Sequence, residues 1–233
     1  MVGSLLGTVI VIGASRGIGE AVSRHLRPRT RRLLTVSRSP ATVGEWIPAD
    51  ITQDQAIDSI RDAVGGAPLD ALLIMGGVWE EHAFTESYVF AHSSATEIRR
   101  VVDVNLTATI LLIQALLPSL ERAENPKIVV LGGLPGREQW PGREVANTAS
   151  KFGLRGVVHA LRPELRERQI GISLIDPGFV GTPEVLADVE ATDLDRRSIV
   201  PMSDLLLVID CCLALSRASS LREVVLPATA GEG

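Results

Sequence analysis

Three closely spaced glycines directly after the first apolar stretch constrain the fold of this chain more than any other feature. The stretch covers residues 8–12, and the run that follows it is Gly13-Ala14-Ser15-Arg16-Gly17-Ile18-Gly19. A buried strand that breaks into such glycines and then opens a helix brings backbone N–H groups and a helix N-terminus against a pyrophosphate. The pattern therefore predicts a dinucleotide-binding loop formed by Gly13, Ser15, Arg16, Gly17, Ile18 and Gly19.

Composition restricts the classes of protein that this chain can belong to. Its 233 residues are 45% hydrophobic, which suits one domain over residues 1–233. The net charge of −5 is unlike that of a nucleic-acid-binding protein. We expect no signal sequence, and no apolar run as long as the roughly 18 residues that cross a bilayer. The chain is therefore expected to be a cytoplasmic protein that is not embedded in a membrane. Adjacent Cys211 and Cys212 suit core packing, and we predict no metal site.

Apolar stretches alternate with segments of helical periodicity along the chain. The predicted strands are residues 8–12, 32–37, 46–49, 69–75, 127–131, 171–176 and 222–226. The predicted helices are residues 17–26, 53–64, 95–120, 146–168 and 203–216, and Pro163 should kink or break the fourth. This alternation predicts an α/β fold: a single-domain, Rossmann-like, doubly wound parallel sheet of about seven strands flanked by helices.

Short motifs at the ends of successive strands resemble the short-chain dehydrogenase/reductase family over nearly the whole chain. They are the G-x-x-x-G-x-G loop, Asp50-Ile51-Thr52, Asn105 in Val-Asn-Leu, and Pro177-Gly178-Phe179-Val180-Gly181-Thr182; Gly76 and Gly77 follow the fourth predicted strand and are expected beside the cofactor at the same edge. The resemblance implies that Asp50 and Ile51 contact the adenine, and that Asn105 organises water and the catalytic lysine, Lys151. It also implies that Pro177, Gly178, Val180 and Thr182 hold the nicotinamide carboxamide, and that residues 183–201 form a substrate lid.

The residue after the second predicted strand indicates which nicotinamide cofactor is preferred. NAD-specific sites place an acid there, whereas a 2′-phosphate needs a cation. Here the strand ends in Ser37-Arg38, and Arg16 lies within the glycine loop. Two guanidinium groups near the ribose favour NADP(H) over NAD(H). The alternative is that both arginines only solvate a loop.

The catalytic motif departs from the family pattern at three places. Asn147 stands where the resemblance implies a tyrosine four residues before Lys151, and Gly132-Gly133 replaces the serine pair, with Gly133 at the catalytic serine. Met75-Gly76-Gly77-Val78 replaces the N-N-A-G element. An asparagine amide has no usable proton near neutral pH, and loss of a general acid typically costs about 10²–10⁴ in rate.

Other side chains are candidates for the missing proton donor. Tyr88 is the only tyrosine, and it lies with His82 in the polar stretch of residues 80–94, which could form a lid. We hypothesise that Tyr88 or His82 enters the active site; the alternative is a surface or interface role. Thr148 and Ser150 are expected to point away from the helix face that Asn147 and Lys151 share, and to pack.

Three functions are compatible with these residues. The first is an NADP(H)-dependent oxidoreductase that acts on a carbonyl, an alcohol or a conjugated small molecule. The second is a cyclase, isomerase or dehydratase that keeps the dinucleotide as a structural group, and the third is a non-catalytic NADP(H)-binding sensor. For each function, the wide apolar faces of the helices at residues 95–120 and 146–168 predict a homodimer or homotetramer. The alternative is that these faces only pack against the sheet.

Overall fold

A seven-stranded parallel sheet forms the centre of the computed structural model, which describes residues 5–138, 142–191 and 196–230. The spatial order of the strands is β3-β2-β1-β4-β5-β6-β7, so the order reverses between β1 and β4. The strands are β1 (Leu6–Ile12), β2 (Thr30–Ser37), β3 (Glu45–Pro48), β4 (Ala71–Ile74), β5 (Lys127–Leu131), β6 (Gly171–Pro177) and β7 (Glu223–Leu226).

Helices cover both faces of this sheet. They are α1 (Gly17–Leu26), α2 (Asp54–Val64), α3 (Ala95–Val102), α4 (Ala108–Glu121), α5 (Val145–Glu167), α6 (Pro183–Ala191) and α7 (Met202–Ala214). Apolar residues of α2, α4 and α5 pack on one face, and those of α1 and α7 pack on the other. Strands apolar on both faces require such a double covering, so the predicted doubly wound fold is confirmed.

Some predicted element boundaries differ from the structure. The fourth strand is shorter than residues 69–75, and the helix predicted at 95–120 contains a π-helical turn at Asp103–Thr107 between α3 and α4. The predicted break at Pro163 does not occur, because α5 continues to Glu167. Packing of Leu154, Val158 and Leu165 into the core on both sides of the proline holds the helix together.

The predicted lid begins as a helix that the sequence analysis did not assign. Helix α6 takes up residues 183–191, while residues 192–195 of the lid lie outside the described part of the chain. The segment rejoins the body where Val200 pairs with Val180 beyond the end of β6. The segment predicted as a lid is therefore attached at both ends to the carboxyl edge of the sheet.

One described helical segment is long and apolar enough to cross a membrane by length and composition alone. It is Ala95–Glu121, with a mean hydropathy of 1.7 over an 18-residue window, contrary to the expectation that no run would qualify. In this fold Leu112, Ile113, Leu116 and Leu120 of that segment are buried in the core against the sheet. Core helices pass the same test of length and composition.

Candidate active site

The glycine loop after β1 has a shape that only glycine can supply. Gly13 has a φ of +86°, and a Cβ there would lie 2.5 Å from the Cα of Gly76 at the end of β4. A Cβ on Gly19 would overlap the carbonyl oxygen of Gly13, and Gly17 has a φ of +56°. This close backbone packing leaves a side-chain-free cradle that leads into the first turn of α1, which fits the pyrophosphate of a dinucleotide.

The neighbouring strand ends hold the residues predicted to bind the adenosine. Arg16 precedes α1 and is exposed, as are Arg38 and Asp50 at the ends of β2 and β3. Hydrogen bonds from the Thr52 hydroxyl (2.8 Å) and backbone N–H (3.1 Å) lower the pKa of Asp50. The structure thus brings these predicted residues to one edge of the sheet, together with Ser15, Ile18, Ser37 and Ile51.

Asn105 lies in the π-helical turn and connects β4 to α5. Its Oδ1 accepts from the N–H of Val78 at 2.8 Å, and its Nδ2 donates to the Val78 carbonyl at 2.9 Å. The same Nδ2 is 3.1 Å from Ser150 Oγ and 3.4 Å from Asn147 Oδ1. Asn105 therefore holds the loop after β4 against the helix that carries Lys151.

Lys151 is buried beneath this loop. Its Nζ donates to the Leu131 carbonyl at 3.4 Å, and burial lowers the pKa of Lys151 to about 8, against a smaller opposing effect of Asp176. A Cβ on Gly77 would lie 3.5 Å from both Lys151 Nζ and Asn105 Oδ1. The ammonium group, the carboxamide and Gly77 thus meet at the carboxyl edge of the sheet.

Ser150 corrects the expectation that it points away from the site. Its hydroxyl is fully buried, accepts from Asn105 Nδ2 and donates to the Asn147 carbonyl at 2.7 Å. Residues three apart share a helix face as well as those four apart, so Asn147 and Ser150 both face Asn105. Thr148 differs, because its hydroxyl donates to the Gly142 carbonyl at 3.3 Å.

The polar stretch after β4 caps the start of α5, which the sequence analysis did not foresee. Buried Glu80 accepts through Oε1 from the N–H groups of Ala146 (2.6 Å) and Asn147 (3.2 Å). The Tyr88 hydroxyl accepts from the N–H of Val145 at 3.1 Å. The second Glu80 oxygen is buried without a hydrogen-bond partner in the described part of the chain. The residue before α5, Glu144, does not cap the helix with its own side chain. The first N–H groups of α5 therefore need hydrogen-bond acceptors from elsewhere in the chain.

An ion pair with a buried carboxylate lies beside Gly132-Gly133, where the resemblance implies the family's serine pair. Asp176, at the end of β6, accepts from the N–H of Gly133 at 3.0 Å and from Arg137 Nε at 2.8 Å. Arg137 also donates to Glu223 of β7 at 2.8 Å. A Cβ on Gly132 would overlap the Asp176 carboxylate, so the glycine there makes room for the charged pair. Sequence reasoning missed this pair because its members are 39 residues apart.

The segment predicted to hold the nicotinamide lies beside the glycine loop. It begins with Pro177 and Gly178, and it is fixed where the N–H of Gly181 donates to the Val200 carbonyl at 2.9 Å. Thr182 Oγ1 accepts from the N–H of Val185 in the first turn of α6 at 3.3 Å. The Thr182 methyl group would be 3.7 Å from a Cβ on Gly17, so this segment borders the predicted pyrophosphate site.

The parallel sheet has a glycine cradle where its strand order reverses, and Asn105 and Lys151 lie near Gly77 at the same edge. These features define a Rossmann-like protein of the dehydrogenase type. The chain belongs to the short-chain dehydrogenase/reductase family, since the family described as short chain dehydrogenase matches residues 7–192. Asn147 and Gly133 both lie within that matched range.

Relatives of known name are distant in sequence but similar over most of the chain. The ketoacyl reductase HetN of Nostoc sp. strain PCC 7120 is 28% identical over 202 residues, which are 79% of this chain and 67% of HetN. Carbonyl reductase family member 4 of Xenopus tropicalis is 28% identical over 187 residues, 76% of each chain. A metagenomic short-chain oxidoreductase in complex with NADP has a TM-score of 0.75 at 25% identity, covering 95% of this chain and 97% of its own.

Proposed function

We propose that this chain is an NADP(H)-dependent oxidoreductase that interconverts a carbonyl and an alcohol, with Lys151 handling the proton in place of the family's tyrosine. The observation that carries the proposal is the buried Lys151, whose pKa is lowered to about 8 beside Asn105 and Gly77. An amine with that pKa is mostly protonated at neutral pH and still gives up its proton readily. A general acid works best when its pKa lies near the working pH.

The cofactor half of the site supports NADP(H) as the partner. The glycine cradle would hold the pyrophosphate, and Gly178, Val180 and Thr182 would hold the nicotinamide end. Arg16 and Arg38 are exposed at the adenosine end, where they would pair with a 2′-phosphate. The NADP complex of the metagenomic relative supports the same choice. When bound, the cofactor supplies or accepts a hydride.

Asn147 would position the substrate oxygen, and Lys151 would supply a proton to it. The Oδ1 of Asn147 faces Asn105 Nδ2, which leaves the amide N–H groups of Asn147 to donate to a substrate carbonyl oxygen. Lys151 gives its proton to that oxygen, directly or through one water, as negative charge develops there. Gly133 offers no hydroxyl, so we expect turnover to be slower than in relatives with the full set of groups.

A non-catalytic NADP(H)-binding protein is the second candidate. The observation that favours it is the closed network in which Asn147, Ser150 and Asn105 hydrogen-bond to one another. Asparagine and serine side chains do not titrate near neutral pH, so this network holds no acid or base other than Lys151 beside it.

Loss of NADPH absorbance at 340 nm with a panel of ketones, aldehydes and quinones tests the proposal. We expect slow, substrate-dependent oxidation that Lys151→Met reduces at least a hundredfold, with a wild-type rate that falls above about pH 8. Arg38→Asp should weaken NADPH binding at least tenfold and leave NADH binding unchanged or stronger. NADPH binding without turnover of any compound would favour the second candidate, and an unchanged Lys151→Met rate would contradict the role of the lysine.

A further inference from the structure

Three aromatic rings form an exposed cluster at the carboxyl edge of the sheet. The ring centroids of Trp79 and Phe84 are 5.7 Å apart, and those of Phe84 and Phe179 are 5.4 Å apart. Both pairs are edge-to-face, with interplanar angles of 68° and 81°. The three residues keep 45%, 52% and 54% of their surface exposed, so the cluster presents apolar area to solvent.

Each ring is attached to a segment that borders the candidate active site. Trp79 follows Val78, whose backbone is held by Asn105 on both its N–H and its carbonyl. Phe179 follows Gly178 at the end of β6, in the segment that leads to Thr182. The cluster therefore connects the loops after β4 and β6, on either side of β5.

Phe84 is fixed in place from the opposite side. Its N–H donates to Glu144 Oε1 at 2.8 Å, directly before the helix that carries Asn147 and Lys151. Phe84 has a φ of +66°, a left-handed conformation that is unfavourable for a residue with a Cβ. Strained backbone of this kind persists where the surroundings hold it, and it is concentrated at binding sites.

The cluster is not part of the hydrophobic core that the described residues form. A ring that serves the core is buried, whereas these three rings contact one another edge-to-face and remain about half exposed. Small-molecule pockets typically combine aromatic walls with a few polar groups. Here the aromatic rings lie on segments next to the candidate active site, which supplies the polar groups. A ligand that covers these rings would remove their exposed faces from water.

We propose that the cluster of Trp79, Phe84 and Phe179 binds the substrate and selects a carbonyl or alcohol attached to a flat aromatic ring. This inference rests on the proposed oxidoreductase function, because it places the carbonyl near Lys151 and the ring against the cluster. A flat ring packs face-to-edge against such a wall, while a saturated ring makes poorer contact. A polyol is excluded, because its hydroxyl groups would lose water without gaining hydrogen-bond partners.

A matched set of three probes tests this selection. Acetophenone, cyclohexyl methyl ketone and an aldohexose differ in ring planarity and polarity while each presents a carbonyl. Binding is measured by calorimetry on the complete protein saturated with NADP⁺, which cannot reduce them, and turnover is measured separately with NADPH. We expect acetophenone to bind at least tenfold more tightly than the cyclohexyl ketone, and the aldohexose to show no binding at millimolar concentration.

Variants locate the preference on the cluster. Phe179→Ala and Phe84→Ala should each raise the dissociation constant for acetophenone about tenfold and bring it close to that of the cyclohexyl ketone. Phe90→Ala is the control, since Phe90 is 52% exposed in the same polar stretch but belongs to neither ring pair. Phe90→Ala should change neither constant, and circular dichroism confirms that each variant is folded.

The two measurements separate this inference from the proposed function. If acetophenone binds tightly and its binding needs Phe179, but NADPH is not oxidised, the aromatic site is supported and the proposed reaction is overturned. Turnover with equal affinity for the flat and saturated ketones would overturn the aromatic selection and leave the reaction standing. Equal losses in Phe90→Ala and Phe179→Ala would likewise overturn the assignment to the cluster.

Discussion

Replacing Lys151 with methionine should stabilise the folded chain at neutral pH. The lysine Nζ is buried, and the one described hydrogen bond that it makes is a 3.4 Å contact with the Leu131 carbonyl. Methionine has nearly the same length and carries no charge. The substitution therefore removes the cost of burying an ammonium group and loses one long hydrogen bond, worth about 0.5–1 kcal/mol.

The size of the effect follows from the difference in proton affinity. A lysine in water has a pKa of about 10.4, and burial lowers the pKa of Lys151 to about 8. Below pH 8 the folded and unfolded chains both hold the proton, so the folded chain bears a cost of about 3 kcal/mol. Between pH 8 and about 10.4 the folded chain releases the proton first, so the cost declines as the pH rises. We expect a net gain of about 2 kcal/mol for Lys151→Met at pH 7.

Urea unfolding of the cofactor-free wild type and variant at pH 7.0 and 9.5 measures this difference. The stability difference between variant and wild type should fall by about 2 kcal/mol from pH 7.0 to pH 9.5, and this fall is what a buried amine predicts. The chain has two lysines, so lysine-labelled protein also allows the pKa of Lys151 to be read directly by NMR. Lys127→Met is the comparison: burial also lowers the pKa of Lys127, but its Nζ donates to the carbonyls of Ser216 and Ser219 at 2.9 and 3.1 Å, so we expect a smaller gain in stability than for Lys151→Met, or a loss. A Lys151→Met difference that is independent of pH would refute the reasoning.

Three further perturbations test other parts of the structure. Gly13→Ala should weaken NADPH binding at least tenfold by calorimetry, because its Cβ would meet Gly76, whereas Gly66→Ala, which has open space, should not. Tyr88→Phe should lower the melting temperature by about 2–4 °C through loss of the Val145 N–H acceptor; lost turnover at an unchanged melting temperature would instead favour catalysis by Tyr88. Ile110→Glu, on an exposed apolar position of α4, should convert the expected oligomer to monomer in light scattering, and an unaltered mass would remove this face from the interface.

The fold and the cofactor cradle were accessible from local patterns. Continuous apolar stretches identify buried strands, an apolar period of about 3.6 residues identifies helices, and spaced glycines mark the turn at Gly13. Of the two outcomes predicted at Pro163, a kink or a break, the break was wrong, because the core contacts of Leu154 and Val158 outweigh one missing backbone hydrogen bond. The prediction that Ser150 points away from the site was wrong, because residues three apart on a helix share a face just as residues four apart do.

Local sequence determined the order of strands and helices, the glycine cradle and the absence of a phenol at Asn147, since each depends on neighbouring residues and their intrinsic geometry. Tertiary packing decided that Glu80 caps α5, that Asp176 pairs with Arg137, and that three rings from separate loops meet. Those partners are far apart along the chain, and their contacts depend on how the strand ends converge. The lowered pKa of Lys151 has the same origin, because desolvation arises only when the sheet and α5 close over the amine.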